Sequence, residues 1–485
     1  MITRSLSAAF IFVAALSLTA CDGSSGGDAP PTGNVAVVIT DGPTDIYDRI
    51  EISMTEMLLI GPGGQVELYS GSPVTFDLLE MSEWGDLALN SQVLAGTYNK
   101  IRIQIDGITL SGTDNGEPVA ETIDNLPANG KIDLHPRGPF EIVQGKTTVI
   151  KLDIDAKRSF QAVQTGQGKL QFRPVVFVEV LQEQIYLQDR LVRAFGTVAA
   201  DSIDANSFRL CDLQFISQSG GPSLGSPNEC IRVHADTSPG IFDELGAEAM
   251  FADAVAGGDL VTAIGFIVES TDVEAYLALN SVVLQIGARK TDTLDGWETL
   301  AGIVVSDPAA CDADQCFAFD RADDVPPDPV VSRMQSATKV YAANGAELMQ
   351  GDVADGDQGS IDGLVDSGSG ELLAALVVLA KDGGGGDISG TLDAVSAVMG
   401  TAPDAYYILT VTTTAGSSAD VCIDANTDIV EVLTDDGIVT ILDLLDPSVL
   451  TPGSSIEAYD GMETPPDMGC AILADTVVVT PPPAP

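Results

Sequence analysis

From about residue 34 onward, apolar residues recur at every second position in short runs cut by Gly, Pro and Asp. This period of two limits the fold more than any other feature of the chain. Ile50, Ile52 and Met54 alternate with Glu51, Ser53 and Thr55, and residues 98–105 read Y-N-K-I-R-I-Q-I. Segments 149–154 and 172–180 repeat the pattern, while Asp41-Gly42-Pro43 and Gly61-Pro62-Gly63-Gly64 supply turns. Alternation with one polar face belongs to antiparallel sheets, and many short strands with Gly/Pro turns imply a sandwich. Only residues 80–94 carry a helix-like pattern.

Beyond residue 194 the chain repeats itself. Each unit opens on a Gly-x-apolar strand, at Gly196, Gly302 and Gly390, so the openings lie 106 and 88 residues apart. An apolar-x-small-x-Thr run follows, ending at Thr237, Thr338 and Thr427. Next comes a glycine with a turn residue seven positions later: Gly258/Gly265, Gly356/Gly363 and Gly453/Asp460. Units of this size are small domains rather than solenoid turns. The expected fold class is therefore all-β: an antiparallel β-sandwich over 34–181, then three tandem barrel-like modules over 194–288, 298–381 and 387–480. Residues 289–298 and the Asp/Gly run 382–387 read as separators, and the Pro-rich 481–485 as a tail.

The chain holds 22 Lys and Arg against 71 Asp and Glu, a formal charge of −49, with two His. A surface this negative repels phosphate backbones, which argues against nucleic-acid binding. Two His leave little room for His-based zinc sites or triads. The charge is uneven, with 14 basic and 24 acidic side chains over 1–193 against 8 and 47 over 194–485. Salt screening makes so acidic a surface tolerable.

The N-terminus reads as an address. Arg4 precedes an apolar run over 6–18, too short to span a bilayer, which takes about 20 residues. Leu18-Thr19-Ala20-Cys21 resembles a bacterial lipobox, which implies acylation of Cys21, and the Gly/Ser/Pro-rich 22–33 reads as a tether. The expected location is the bacterial cell envelope, on either membrane. The six remaining cysteines fall as Cys211/Cys230, Cys311/Cys316 and Cys422/Cys470, one pair per repeat, and read as disulfides. Closing the 211–230 loop contributes about 3 kcal/mol in the chain-entropy picture.

Several motifs occur in order through the first block: Asp41-Gly42-Pro43, Asp77-Leu78-Leu79 and Leu94-Ala95-Gly96-Thr97-Tyr98 with Ile101-Arg102. Leu152-Asp153-Ile154-Asp155-Ala156 and Arg173-Pro174-Val175-Val176 complete the series. Together they resemble domain-of-unknown-function family 4382, found mostly in exported lipoproteins. That family often has L-P-A-G-x-Y, and here Ala95 follows Leu94 without the proline. The resemblance implies a compartment and a β-fold, and no activity. The motif order of the repeats loosely resembles unknown-function family 5666, a small β-barrel module.

Candidate chemistry is sparse. Gly221-Pro222-Ser223-Leu224-Gly225 matches the hydrolase elbow G-x-S-x-G, with only His234 and His135 as conceivable bases, but no helix follows and the segment reads as a loop. Asp153 and Asp155 lie two apart on a strand, so both project from one face and could share a calcium ion. Asp352, Asp355, Asp357 and Asp362 cluster among glycines without the EF-hand spacing, and Asp320, Asp323 and Asp324 read as a charged loop. Trp84, Tyr98 and Trp297 are candidate sugar platforms, but read more simply as core edges. The expectation is a lipid-anchored, non-enzymatic binding or structural module without a cofactor. Its partners would be the membrane, through the lipid, and an envelope protein or glycan. The alternatives are an envelope hydrolase and a calcium-dependent carbohydrate-binding protein.

Overall fold

A computed structural model describes most of residues 30–480. Residues 1–29 and 481–485 lie outside the described residues, as do 42–48, 155–158, 163–169, 215–229, 291–294, 322–328, 381–387, 401–405, 444–449, 460–469 and several shorter stretches.

The fold is nearly all β, with several sheets and two small closed barrels. Two sheets form the N-terminal sandwich. One orders Val176–Leu181, Thr147–Ile154, Thr32–Thr40 and Gly85–Leu94; the other orders Gly64–Asp77, Arg49–Gly61, Lys100–Asp114 and Lys131–His135. Ile50, Ile52 and Met54 face the shared core with Val35, Val37 and Ile39, as period two requires. Thr32–Thr40 pairs Thr147–Ile154 in parallel, so the sandwich is mixed rather than purely antiparallel. That strand is buried on both faces: Ala36 and Val38 point into the core of the first barrel, which is why 35–39 is wholly apolar. Gly85–Leu94 is likewise a strand, not the helix its pattern suggested. Only Leu78–Met81 before it coils, as a 3-10 turn. With nearly every residue of Gly85–Leu94 buried, pairing with Thr32–Thr40 overrides local propensity.

The first barrel comprises Val192–Val198, Ser207–Gln214, Ile231–His234, Leu260–Asp272 and Ala275–Ile286. Strand one pairs two and four, three pairs two and, in parallel, five, and four pairs five, which closes the ring. The second barrel repeats this ring with Glu298–Val304, Asp314–Arg321, Val330–Ala342, Gln358–Val365 and Leu372–Leu379. Ile388–Val395, Tyr407–Thr413, Ser418–Ile423 and Ser455–Tyr459 follow the same order in the third unit, whose last strand is split into Ile472–Leu473 and Thr476–Thr480. This is the five-stranded Greek-key arrangement of the OB-fold class.

The repeated residues now have physical roles. A Cβ on Gly196, Gly302 or Gly390 would lie 2.5, 2.0 or 2.1 Å from a carbonyl oxygen of strand two, so only glycine lets these strands touch. Gly258, Gly356 and Gly453 hold φ of 93°, 90° and 94°. Their N–H groups donate to Val198, Val304 and Leu392 of strand one, and the next residue in each case accepts that same residue's N–H. Thr338 and Thr427 each accept an N–H three residues back, from Gln335 and Asp424, and donate to strand five at Ala374 and Ala474. The disulfides Cys211–Cys230, Cys311–Cys316 and Cys422–Cys470 are all formed.

Neither big sheet stops at the sandwich edge. Gly85 and Asp86 pair in parallel with Val192 and Arg193 of the first barrel, and Leu134 and His135 pair with Ile441 and Leu442 beside the third.

Two outcomes follow. Gly302→Ala should destabilise the second barrel by about 2–3 kcal/mol in urea unfolding, through overpacking against Asp320. Gly351→Ala, with nothing within 4 Å of the new carbon, should stay within about 0.5 kcal/mol. Within the sandwich, burial pushes the Asp77 carboxyl up to about 6, against the pull of the Ile50 and Leu79 amides and Arg49. The folded state therefore binds this proton more tightly than the unfolded chain, whose value is about 3.9. Its contribution is full below about pH 4 and is lost as pH rises through 6. Asp77→Asn keeps the oxygen that accepts both amides and should flatten that decline in a pH series of melting curves.

Candidate functional site

The chain's most unusual chemistry sits where the sandwich and the first two barrels meet. Arg193 lies in the apolar strand Val192–Val198 and is fully buried, and its planar fork has to find partners there. Its Nε and Nη2 donate to both Asp86 carboxylate oxygens at 2.6 and 2.8 Å. Its Nη1 donates to Thr299 Oγ1 at 2.6 Å and Asp362 Oδ2 at 3.1 Å. Trp84 places its ring 5.3 Å from the guanidinium carbon, within cation–π range.

Asp362, equally buried, is the hub on the second barrel. It accepts from Arg289 Nη1 at 2.7 and 3.0 Å, from Gln285 Nε2 at 2.7 Å and from the Thr299 hydroxyl at 2.9 Å. Thr299 Oγ1 in turn accepts from Arg289 Nη2 at 3.0 Å. Burial alone would raise the Asp362 carboxyl, but Arg289 and Arg193 outweigh it and hold it below the usual range. Burial likewise disfavours the Arg193 charge, and Asp86, Asp362 and Glu80 overcome this and raise its pKa. Two guanidinium groups thus face two carboxylates, Asp86 from the sandwich and Asp362 from the second barrel, with Glu80 at 4.0 Å from Arg193.

Beside this junction a cavity of about 810 Å³ opens between the first two barrels. One wall carries Glu244, Leu245, Asp259 and Leu260, and the other Arg321, Leu364, Val365 and Ser367. The connecting segment contributes Lys290 and Trp297. Lys290 is paired with Glu298 at 2.5 Å, and Trp297 donates its indole N–H to Ile286 O at 2.8 Å. The segment read as a separator is therefore packed at both ends, with Arg289 and Trp297 buried.

Of the residues singled out by sequence, Trp84, Trp297 and Tyr98 are buried and present no open ring face. Tyr98 donates its hydroxyl to Leu94 O at 2.8 Å, which pins the turn of the Leu94–Tyr98 motif. The acidic cluster does not converge. Asp352 and Asp357 accept the Met349 and Ala354 amides, whereas Asp362 belongs to the junction. Asp153 is half-buried on Thr147–Ile154, and Asp155 lies outside the described residues, as do Ser223, Asp323, Asp324 and Cys21. His234 stands on the outer face of Ile231–His234, 3.9 Å from Asp236. His135 lies in the shared sheet, its pKa lowered chiefly by burial. Among the described residues no group of three or more His, Cys, Asp or Glu is placed to hold a metal ion, and no helix is long and apolar enough to cross a membrane.

Residues 32–174 match the family model described as Domain of unknown function (DUF4382). The match ends before the barrels, whose likeness to family 5666 rests on motif order alone. No curated protein matches the chain.

Arg193→Met leaves Asp86 buried without its main counter-charge and Asp362 with Arg289 as its remaining guanidinium. It should lower stability by about 3–5 kcal/mol in urea unfolding, and Asp86→Leu added to it should recover part of that loss.

Proposed function

We propose that this chain is a lipid-anchored cell-envelope protein, a non-enzymatic binding or structural module held out from the membrane as a stiff body. The observation that carries the reading is the buried junction of Arg193, Asp86, Thr299, Arg289 and Asp362, which fixes three modules against one another without using an exposed residue. Interfaces within a chain otherwise permit relative motion by default. Two sheets that run from the sandwich into flanking barrels act in the same direction. Such a body suits presentation of loops and clefts at fixed spacing.

The tether fits this placement. Ten residues lie between Cys21 and Thr32, where the first strand starts, and eleven Cα-to-Cα steps of about 3.3–3.6 Å reach at most about 40 Å. The DUF4382 match over 32–174 accompanies the lipobox-like leader, and three disulfides suit an oxidising compartment. The charge of −49 favours cationic or neutral partners over nucleic acid.

Metabolic labelling with a palmitate analogue should mark the wild-type chain and leave Cys21→Ser unmarked and released from membranes. Labelling of that variant would remove the anchor from this reading. In assays with esterase and glycosidase substrates, Ser223→Ala and the double change Asp153→Asn/Asp155→Asn should match wild type. A loss in either would support the hydrolase alternative.

A further inference from the structure

Arg321 stands apart from every other described arginine, because it makes no ion pair or side-chain hydrogen bond with any described residue. Arg49, Arg102, Arg190, Arg193, Arg209, Arg232, Arg289 and Arg333 all have such partners. The Arg321 Nε is moreover buried without an acceptor. In a chain with 71 carboxylates, an arginine left in this state points to an acceptor supplied from outside. Its place on the strand says where. Phe317 and Phe319 are buried inward-facing residues of Asp314–Arg321, and Arg321 continues their phase at the strand's end. The guanidinium therefore belongs to the mouth of the second barrel, where it lines the inter-barrel cavity. Module interfaces and barrel mouths are where small-ligand sites concentrate.

We propose that this cleft binds a short extended peptide whose free carboxylate is held by Arg321. A guanidinium fork matches a carboxylate in two parallel hydrogen bonds. Leu245 and Leu260 from the first barrel and Leu364 and Val365 from the second line the cleft, so the body of the ligand is apolar. Glu244 and Asp259 on the first-barrel wall oppose the cation on the second, which favours a ligand with an amine at its other end. A zwitterion also avoids the long-range repulsion that a net anion would meet from a protein charged −49. A cavity of about 810 Å³ falls within the usual 300–1,000 Å³ range of ligand pockets, room for roughly four residues. A glycan fits less well, since Trp297, the aromatic residue at the cleft, is 1% exposed and offers no stacking face.

The inference does not depend on the lipid anchor. The test is equilibrium dialysis of the purified full chain against a pool of random tetrapeptides, read by mass spectrometry, with the same pool as C-terminal amides and with tetragalacturonate as a carboxylate of a different class. Free-acid peptides should be retained at least tenfold more strongly than their amides. Arg321→Met should remove that preference while leaving amide retention unchanged. Leu245→Asp, at a position 78% exposed where folding is not at stake, should weaken peptide retention about tenfold. Equal retention of acids and amides, retention indifferent to both variants, binding of tetragalacturonate in place of peptide, or no retention at all would overturn the proposal.

Discussion

Everything in this architecture hangs on a charge that cannot reach water. Arg193 issues from an otherwise apolar strand of the first barrel, and only the sandwich's Asp86 and the second barrel's Thr299 and Asp362 can satisfy it. Burying a lone guanidinium is costly, and so is burying a lone carboxylate; the arrangement is tolerable only when all partners are present together. An apolar seam of similar size would hold the modules equally firmly. It would let them slide, however, whereas the bidentate pair at Asp86 and the convergent donors on Asp362 fix both distance and angle. The junction is thus best understood as a device for orientation, stabilising mainly by making every mis-docked arrangement expensive.

Within each barrel, closure depends on small backbone devices rather than on charge. Two features recur in all three, a glycine at strand crossing and a left-handed glycine gripping strand one; in the second and third units a threonine also pins strand three to strand five, while Thr237 of the first lies outside the described residues. Leu245, Arg321 and Leu364, which line the inter-barrel cleft, are not among those repeated positions.

Much of the fold was legible in the sequence because its signals are local. Period two marked the strands 50–54 and 98–105, and the spaced glycines marked the barrels. The 80–94 segment misled because a strand buried on both faces has no polar phase to read. The candidate site was hardly legible at all. Asp362 lay inside an acidic cluster that suggested calcium, and residues 289–298 looked like a breaker, since Gly and charge are the common currency of loops. One signal was present: Arg193 interrupts Leu191-Val192 and Ala194-Phe195, and a charge inside an apolar strand calls for buried partners. Which partners those are is a matter of contacts 106 to 169 residues apart, which no local pattern encodes.

A stiff, acidic, multi-module body with an arginine-lined cleft differs in kind from beads on a string, and calorimetry separates the two directly. Differential scanning calorimetry of the disulfide-intact chain should show the sandwich and the first two barrels melting as one transition, its calorimetric and van't Hoff enthalpies in agreement. Arg193→Met should split that transition. Separate, independent transitions for the three modules in the wild-type chain would contradict the account at its root.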